Sequence, residues 1–141
     1  MFILFQVAYS CLNVPYKWGG NNPIDGLDCS GFVQHVLKSA GIAPPKDCNA
    51  QCLYDYYELE SAHNTYKPGA LVFYGKSILE ITHVALMLDP YRIIEAAGGD
   101  HLTLTRADAA AKGAMVRIRK VDYRNDKVAV LWPRYAAIGI I

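Results

Sequence analysis

Cys29 has the surroundings best suited to chemistry in this sequence. Asp28 precedes it, Ser30-Gly31 follows, and then Phe32, Val33, Val36, Leu37 and Ala40 recur at helical spacing, with Gly41 where a helix would stop. The pattern predicts a helix over 29–40, with Cys29 at its N-terminus and Asp28 as its capping acceptor. At that position the helix dipole and the free backbone N–H groups favour an anion, and the thiolate is the reactive form of cysteine. Gly31 removes a side chain beside the sulfur, and Gly19-Gly20 lets backbone approach closely. The bland alternative is an inert buried cysteine at a helix start.

A cysteine nucleophile needs a base within hydrogen-bond reach and a third group to orient that base. Four histidines compete. His35 lies in the same predicted helix, more than one turn from Cys29, so its ring points elsewhere. His63 and His101 fall in loop-like stretches. His83 opens the apolar run Thr82–Leu88, where an inward position can face a helix N-terminus. The residues alone leave His83 between a base and a packed structural histidine.

The elements that must position these groups change character along the chain. Residues 2–12 read as a helix with Ile3, Phe5, Val7 and Leu12 as burial candidates, ended by Asn13 and Pro15. Residues 13–28 are a loop rich in Gly, Asn and Pro. After Pro44-Pro45, Asp47 is expected to cap a third helix running to about Glu58, with Leu53, Tyr54 and Tyr57 inward. Strands follow: Ala70–Tyr74, Thr82–Leu88, Ile93–Ala96, Met115–Val121 and Lys127–Trp132. Asp89-Pro90-Tyr91-Arg92 reads as the turn of a hairpin, and residues 102–105 alternate weakly. The apolar tail Tyr135–Ile141 is expected to pack on an edge. Helices first and strands afterwards predict an α+β fold, N-terminal helices packed on a C-terminal antiparallel sheet.

Composition narrows the function classes. The 141 residues read as one domain, 1–141, large enough for its own core. With 52% hydrophobic and 19% charged residues the chain is globular, not disordered. A net charge of +1 without a basic stripe argues against nucleic acid as a partner. The cysteines are Cys11, Cys29, Cys48 and Cys52. An even count invites disulfides, but this is no small loop-rich scaffold, and Cys48 and Cys52 stand four apart on an expected helix. With no C-x-x-C pair and scattered histidines, no metal site is expected. The expectation is four free thiols, with only Cys29 reactive. Met1–Phe5 is apolar but lacks a basic n-region, so no signal peptide is expected, and no run is long enough to span a membrane.

Tyr16-Lys17-Trp18-Gly19-Gly20, followed by Asp28-Cys29-Ser30-Gly31-Phe32-Val33, resembles the NlpC/p60 cell-wall peptidases. These are papain-like cysteine endopeptidases that cut peptidoglycan stem peptides. The resemblance implies a papain-like core, no cofactor, and a γ-D-glutamyl–diamino acid bond as the target. It makes Cys29 the nucleophile and His83 the base. It places the orienting group on the next strand about a dozen residues on, at Glu95, where the family more often has a second histidine. Tyr16 matches a tyrosine beside the nucleophile, and the Cys29 amide is the other expected oxyanion donor. Asp28 and Ser30 match positions that in some members hold a free substrate amine, with a helix cap as the other reading of Asp28, and Trp18 of the same motif is assigned to the substrate side. A wall hydrolase without a leader is expected to be released by lysis or carried in a virion, with phage tail proteins as partners. The rivals are a Cys-His amidase or acyltransferase with another acyl substrate, and a wall-binding module with a degenerate site. Retention of Cys29 and His83 argues against the last.

Overall fold

The apolar stripe after Cys29 does form a buried helix face in the computed structural model of the protein, which describes residues 2–135. This helix, α2 (Cys29–Ser39), buries Phe32, Val33, Val36 and Leu37. It is preceded by α1 (Phe2–Ser10) and by two short paired strands, β1 (Asn21–Asn22) and β2 (Gly26–Leu27). The third helix, α3 (Ala50–Tyr57), buries Leu53, Tyr54 and Tyr57 as the sequence predicts. The sheet strands are β3 (Ala62–His63), β4 (Leu71–Gly75), β5 (Ile81–Asp89), β6 (Arg92–Ala97), β7 (Met115–Lys120) and β8 (Lys127–Trp132). A short helix, α4 (Arg106–Lys112), lies between β6 and β7.

Among the described residues the main sheet has the order β3-β8-β4-β5-β6-β7, antiparallel throughout. This is the α+β architecture read from the sequence. One sheet face carries Leu71, Phe73, Val84, Leu86, Ile94 and Val116 into a core shared with α1, α2 and α3. The other face buries Val72, Tyr74, Ala85, Met87 and Ile93 in a second cluster. Both faces of β4, β5 and β6 are therefore covered, and their sequences read as apolar runs instead of alternating. The sheet curls: the Tyr74 hydroxyl on β4 donates to the Val121 carbonyl just past β7, at 2.8 Å, although β5 and β6 lie between.

Several local expectations are corrected. The buried stripe of α1 is Leu4 and Ala8, continued by Cys11 just beyond it, whereas Ile3 is exposed. The third helix starts two residues later than expected, because Asn49, not Asp47, is the cap: its side chain accepts from the Cys52 N–H at 2.9 Å. The Gln34 side chain holds the preceding segment out of the helix, donating to the Lys46 carbonyl at 2.6 Å and accepting from the Cys48 N–H at 3.0 Å. Cys48 and Cys52 thus straddle a helix start with Cα atoms 5.2 Å apart, and they form a disulfide instead of two free thiols. Residues 102–105, whose alternation is weak, lie outside the strands. They lead into α4 through a capping box between Thr105 and Asp108, and Gly113 closes that helix at φ 62°. Tyr135 is buried and its hydroxyl donates to the Gly69 carbonyl at 2.6 Å; the rest of the expected edge-packing tail, 136–141, lies outside the described residues.

The first turn of α2 touches the glycine loop backbone to backbone. A Cβ on Gly31 would collide with the Gly20 carbonyl oxygen, which also accepts from the Asp28 N–H at 3.1 Å. Alanine is the better helix former, so propensity alone predicts that Gly31→Ala stabilises. Overpacking against a backbone atom should win. The variant is expected to lose about 1–3 kcal/mol of stability in urea unfolding; a gain would mean the loop yields freely.

Candidate active site

Asp28 builds the start of α2 with both carboxylate oxygens. Oδ1 accepts from the Gly31 N–H at 2.7 Å and from the Ser30 hydroxyl at 3.3 Å. Oδ2 accepts from the Gly19 N–H at 2.9 Å, tying the glycine loop to the helix. Burial outweighs these bonds and raises the pKa of its carboxyl. Cys29, the first helical residue, is partly exposed, and its amide donates no hydrogen bond among the described residues.

The His83 imidazole, on β5, is buried and donates from Nε2 to Glu95 Oε1 on β6 at 2.6 Å. Glu95 is fully buried. Burial by itself lowers the pKa of His83, but hydrogen bonding and negative charge from Cys29 and Glu95 outweigh it and push the value up to about 9. For Glu95, burial pushes upward, and the His83 bond and charge, followed by the Tyr123 hydroxyl and Arg119, leave it below the usual carboxylate range. The two form a charged pair at neutral pH. Glu95 Oε2 has no hydrogen bond of normal geometry, and Tyr123 is the hydroxyl that acts on this carboxylate.

Two cavities meet at Cys29 and share Tyr16, Trp18 and Thr82. One, of about 460 Å³, runs past Asp28, Ser30, Asp47 and Asn49. The other, of about 530 Å³, runs past His83, Gly98, Asp100, Arg117 and Tyr123. The Tyr16 ring is buried against Gly99, where any Cβ would clash with it. Burial and the charges of Cys29, Asp28 and Asp100 raise its pKa strongly, so its hydroxyl remains a proton donor. Trp18 is half exposed, edge-on to His101 with ring centroids 6.3 Å apart.

The sequence profile of the NlpC/P60 family matches residues 13–121, from the loop before Tyr16 to the end of β7. This chain belongs to the NlpC/P60 family. It is 31% identical over 120 residues to the gamma-DL-glutamyl hydrolase of Bacillus subtilis, covering 83% of this chain and 28% of that protein. It is 36% identical over 86 residues to the bifunctional muramidase/DL-endopeptidase CwlT of the same organism, covering 58% of this chain and 25% of CwlT. The chain thus spans about a quarter of the length of these relatives. Among solved structures, an NlpC/P60 family protein from Bacillus cereus superposes with a TM-score of 0.72 at 20% identity, over 95% of this chain and 39% of that one. RipD of Mycobacterium tuberculosis, described as a non-catalytic NlpC/p60 domain protein adapted to peptidoglycan binding, superposes with a TM-score of 0.69 at 19% identity, over 94% and 95%. At these identities the two structures support the fold alone.

Six of the seven residues singled out in the sequence line this NlpC/P60 cleft, namely Cys29, His83, Tyr16, Asp28, Ser30 and Trp18; the seventh, Glu95, is buried and hydrogen-bonded to His83. His35 sits on α2 and His63 on β3, where its Nε2 meets the Glu58 carbonyl at 2.7 Å. The sequence reading missed the wall formed by Gly98–His101, Arg117, Tyr123 and Arg124. The only signal for it was Arg117 alternating with apolar neighbours in 115–121.

Two outcomes follow from this geometry. Iodoacetamide at limiting dose should label Cys29 before the fully buried Cys11, as read by peptide mapping; Cys11 labelled first would show that the cleft is closed. The second concerns pH. The folded pKa of His83 is raised above its unfolded value of 6.5, so the stability it contributes is complete below about 6.5 and is lost as pH climbs through about 9. Glu95, with a lowered folded pKa, contributes above the carboxylate range and loses that contribution as pH falls through the folded value. Tm should therefore decline across the His83 window in the wild type. Glu95→Gln should be less stable and flatter there. Glu95→Ala strands a buried imidazole and should cost about 3–5 kcal/mol. Superimposable Tm–pH curves for wild type and Glu95→Gln would show that the pair adds nothing.

Proposed function

We propose that this chain is a peptidoglycan hydrolase, a cysteine endopeptidase that cuts the γ-D-glutamyl–diamino acid bond of stem peptides. The observation that carries this reading is the buried His83–Glu95 pair beside Cys29, where two cavities meet. Glu95 occupies Nε2, which leaves Nδ1 for the thiol. The Cys29 thiolate attacks the γ-carbonyl carbon, and the oxygen takes the developing charge. The free Cys29 amide and the Tyr16 hydroxyl are the donors for that oxygen. The C–N bond breaks as the His83 imidazolium protonates the leaving amine, giving a thioester on Cys29. Water then gives its proton to His83 and attacks the thioester, and the carboxylate product leaves with the thiolate restored. Glu95 fixes the ring and stabilises its positive form. On the other side of Cys29, Asp28 and Ser30 supply negative potential and a hydroxyl for the free amine of an L-Ala-γ-D-Glu stem. The names of the two Bacillus subtilis relatives, a glutamyl hydrolase and a DL-endopeptidase, support this substrate class.

A non-catalytic wall-binding role, as RipD is described, uses the same fold. The charged pair next to an accessible thiol favours the enzyme.

The test is mass spectrometry of purified muropeptides after digestion, because product masses locate the cut bond. Wild type should release fragments ending in γ-D-Glu. Cys29→Ala and Cys29→Ser should release none while keeping the fold. His83→Ala should fall by about 10²–10⁴ in rate, and Glu95→Gln should fall less, since an amide still accepts from Nε2–H. Turnover by Cys29→Ala discards the cysteine mechanism, and a different cleaved amide moves the chain to the amidase reading.

A further inference from the structure

The cavity on the His83 side of Cys29 must receive the amine-bearing half of the substrate, because His83 is the group that protonates it. This step rests on the hydrolase reading above. The charges lining that cavity are mostly committed. Arg124 pairs with Asp126 through two bonds, Nε to Oδ1 at 2.9 Å and Nη2 to Oδ2 at 2.8 Å. Asp100 accepts from Lys112 at 2.7 Å and from the Leu102 N–H at 2.9 Å. Glu95, the cross-strand neighbour of Arg117, is held by His83.

Arg117 differs. Among the described residues it forms no ion pair, and its one hydrogen bond is from Nη1 to the Gly113 carbonyl at 3.2 Å. Its Nε is buried with no partner, and its Nη2 lies against Gly98, where the absence of a side chain leaves the guanidinium at the cavity wall. Native structures rarely leave a partly desolvated guanidinium this poorly paired, and a planar carboxylate is the group that its fork of donors fits best. We propose that Arg117 is a specificity-determining residue that binds a carboxylate on the leaving diamino acid.

That carboxylate has two sources. A stem ending at the diamino acid offers its α-carboxylate, whether the residue is lysine or diaminopimelate. Diaminopimelate also carries a carboxylate at the end of its side chain. Four tripeptides separate them: L-Ala-γ-D-Glu-L-Lys and L-Ala-γ-D-Glu-diaminopimelate, each with a free or amidated α-carboxyl.

Wild type, Arg117→Gln and Arg117→Lys are assayed for kcat/KM on all four, with Tm as a folding check. Removing a charge-assisted hydrogen bond to the substrate lowers the rate by about 10- to 100-fold. That drop is expected for Arg117→Gln on substrates that offer the recognised carboxylate, with Arg117→Lys between. The amidated lysine tripeptide, which has no carboxylate on its diamino acid, should distinguish the proteins by no more than about 2-fold. A loss confined to free α-carboxyls assigns the α-carboxylate, and a loss that persists on the amidated diaminopimelate peptide assigns the side-chain group. Equal losses on all four peptides, or no loss on any, overturn the assignment while the hydrolase reading stands. If Arg117→Gln does not fold, the same ratio of free-acid to amide turnover is read from Arg117→Lys. A wild type that cuts none of the four overturns the hydrolase reading, and this assignment falls with it.

Discussion

The site depends on one close approach of two backbones, the carbonyl of Gly20 and the first turn of α2. Gly31 makes the approach sterically possible, and Asp28 makes it favourable by accepting from Gly31 with one oxygen and from Gly19 with the other. A single carboxylate thereby fixes where the helix begins and where the loop carrying Tyr16 and Trp18 lies. Cys29 becomes the first helical residue, with a free amide and a sulfur at the cleft. The same bonds occupy both Asp28 oxygens, so under the proposed function Asp28 would offer a substrate amine charge more than an open acceptor site.

The second requirement is a buried charge pair that an α+β sheet does not supply by default. Glu95 sits on β6, where Ile93, Ile94, Ala96 and Ala97 are all buried. A lone carboxylate there would be protonated. The imidazolium of His83, one strand away, keeps it ionised, and Cys29 and Glu95 together keep His83 charged well above the ordinary histidine range. Strand order makes this possible: β5 and β6 are adjacent, and β4 and β7 cover their outer edges. Tyr74 stands beside the imidazole as the cross-strand partner of His83, with ring centroids 5.5 Å apart, and Tyr123 lies beside Glu95.

Much of this was legible in the sequence because it is local. Helical spacing after Cys29, the capping Asp28 and the glycines around them describe α2 without tertiary information. The fold class follows from the order of helices and strands. What stayed hidden needs distant contacts. Gln34 reaches from α2 to hold residues 46–48 extended, which delays the third helix and lets Cys48 meet Cys52; four-residue spacing read as one helix face therefore misled. The capping box at Thr105 and Asp108 is legible as Thr-x-x-Asp, yet residues 102–105 show only weak alternation and no helix is expected there. Glu95 carried no signal of its own, since burial on both sheet faces erases the alternation that marks inward positions. Family position pointed to it, and the structure shows it next to His83.

A net charge of +1 suggests a chain with no electrostatic preference, but the cleft is polarised. On one side of Cys29 the charged lining residues are Asp28 and Asp47. On the other, Arg117 joins the His83 imidazolium, while Arg124 is paired with Asp126 and Asp100 with Lys112. A stem peptide with a free amine at its L-Ala end and a carboxylate on its diamino acid has the complementary polarity. If the proposed substrate lay across Cys29 in that sense, its amine would meet Asp28 and its carboxylate Arg117, with the scissile carbonyl between the free amide of α2 and the imidazole. Reversed, both ends face like charge. Local segregation, to which the sum over the chain is blind, would thus choose the direction in which a peptide is read.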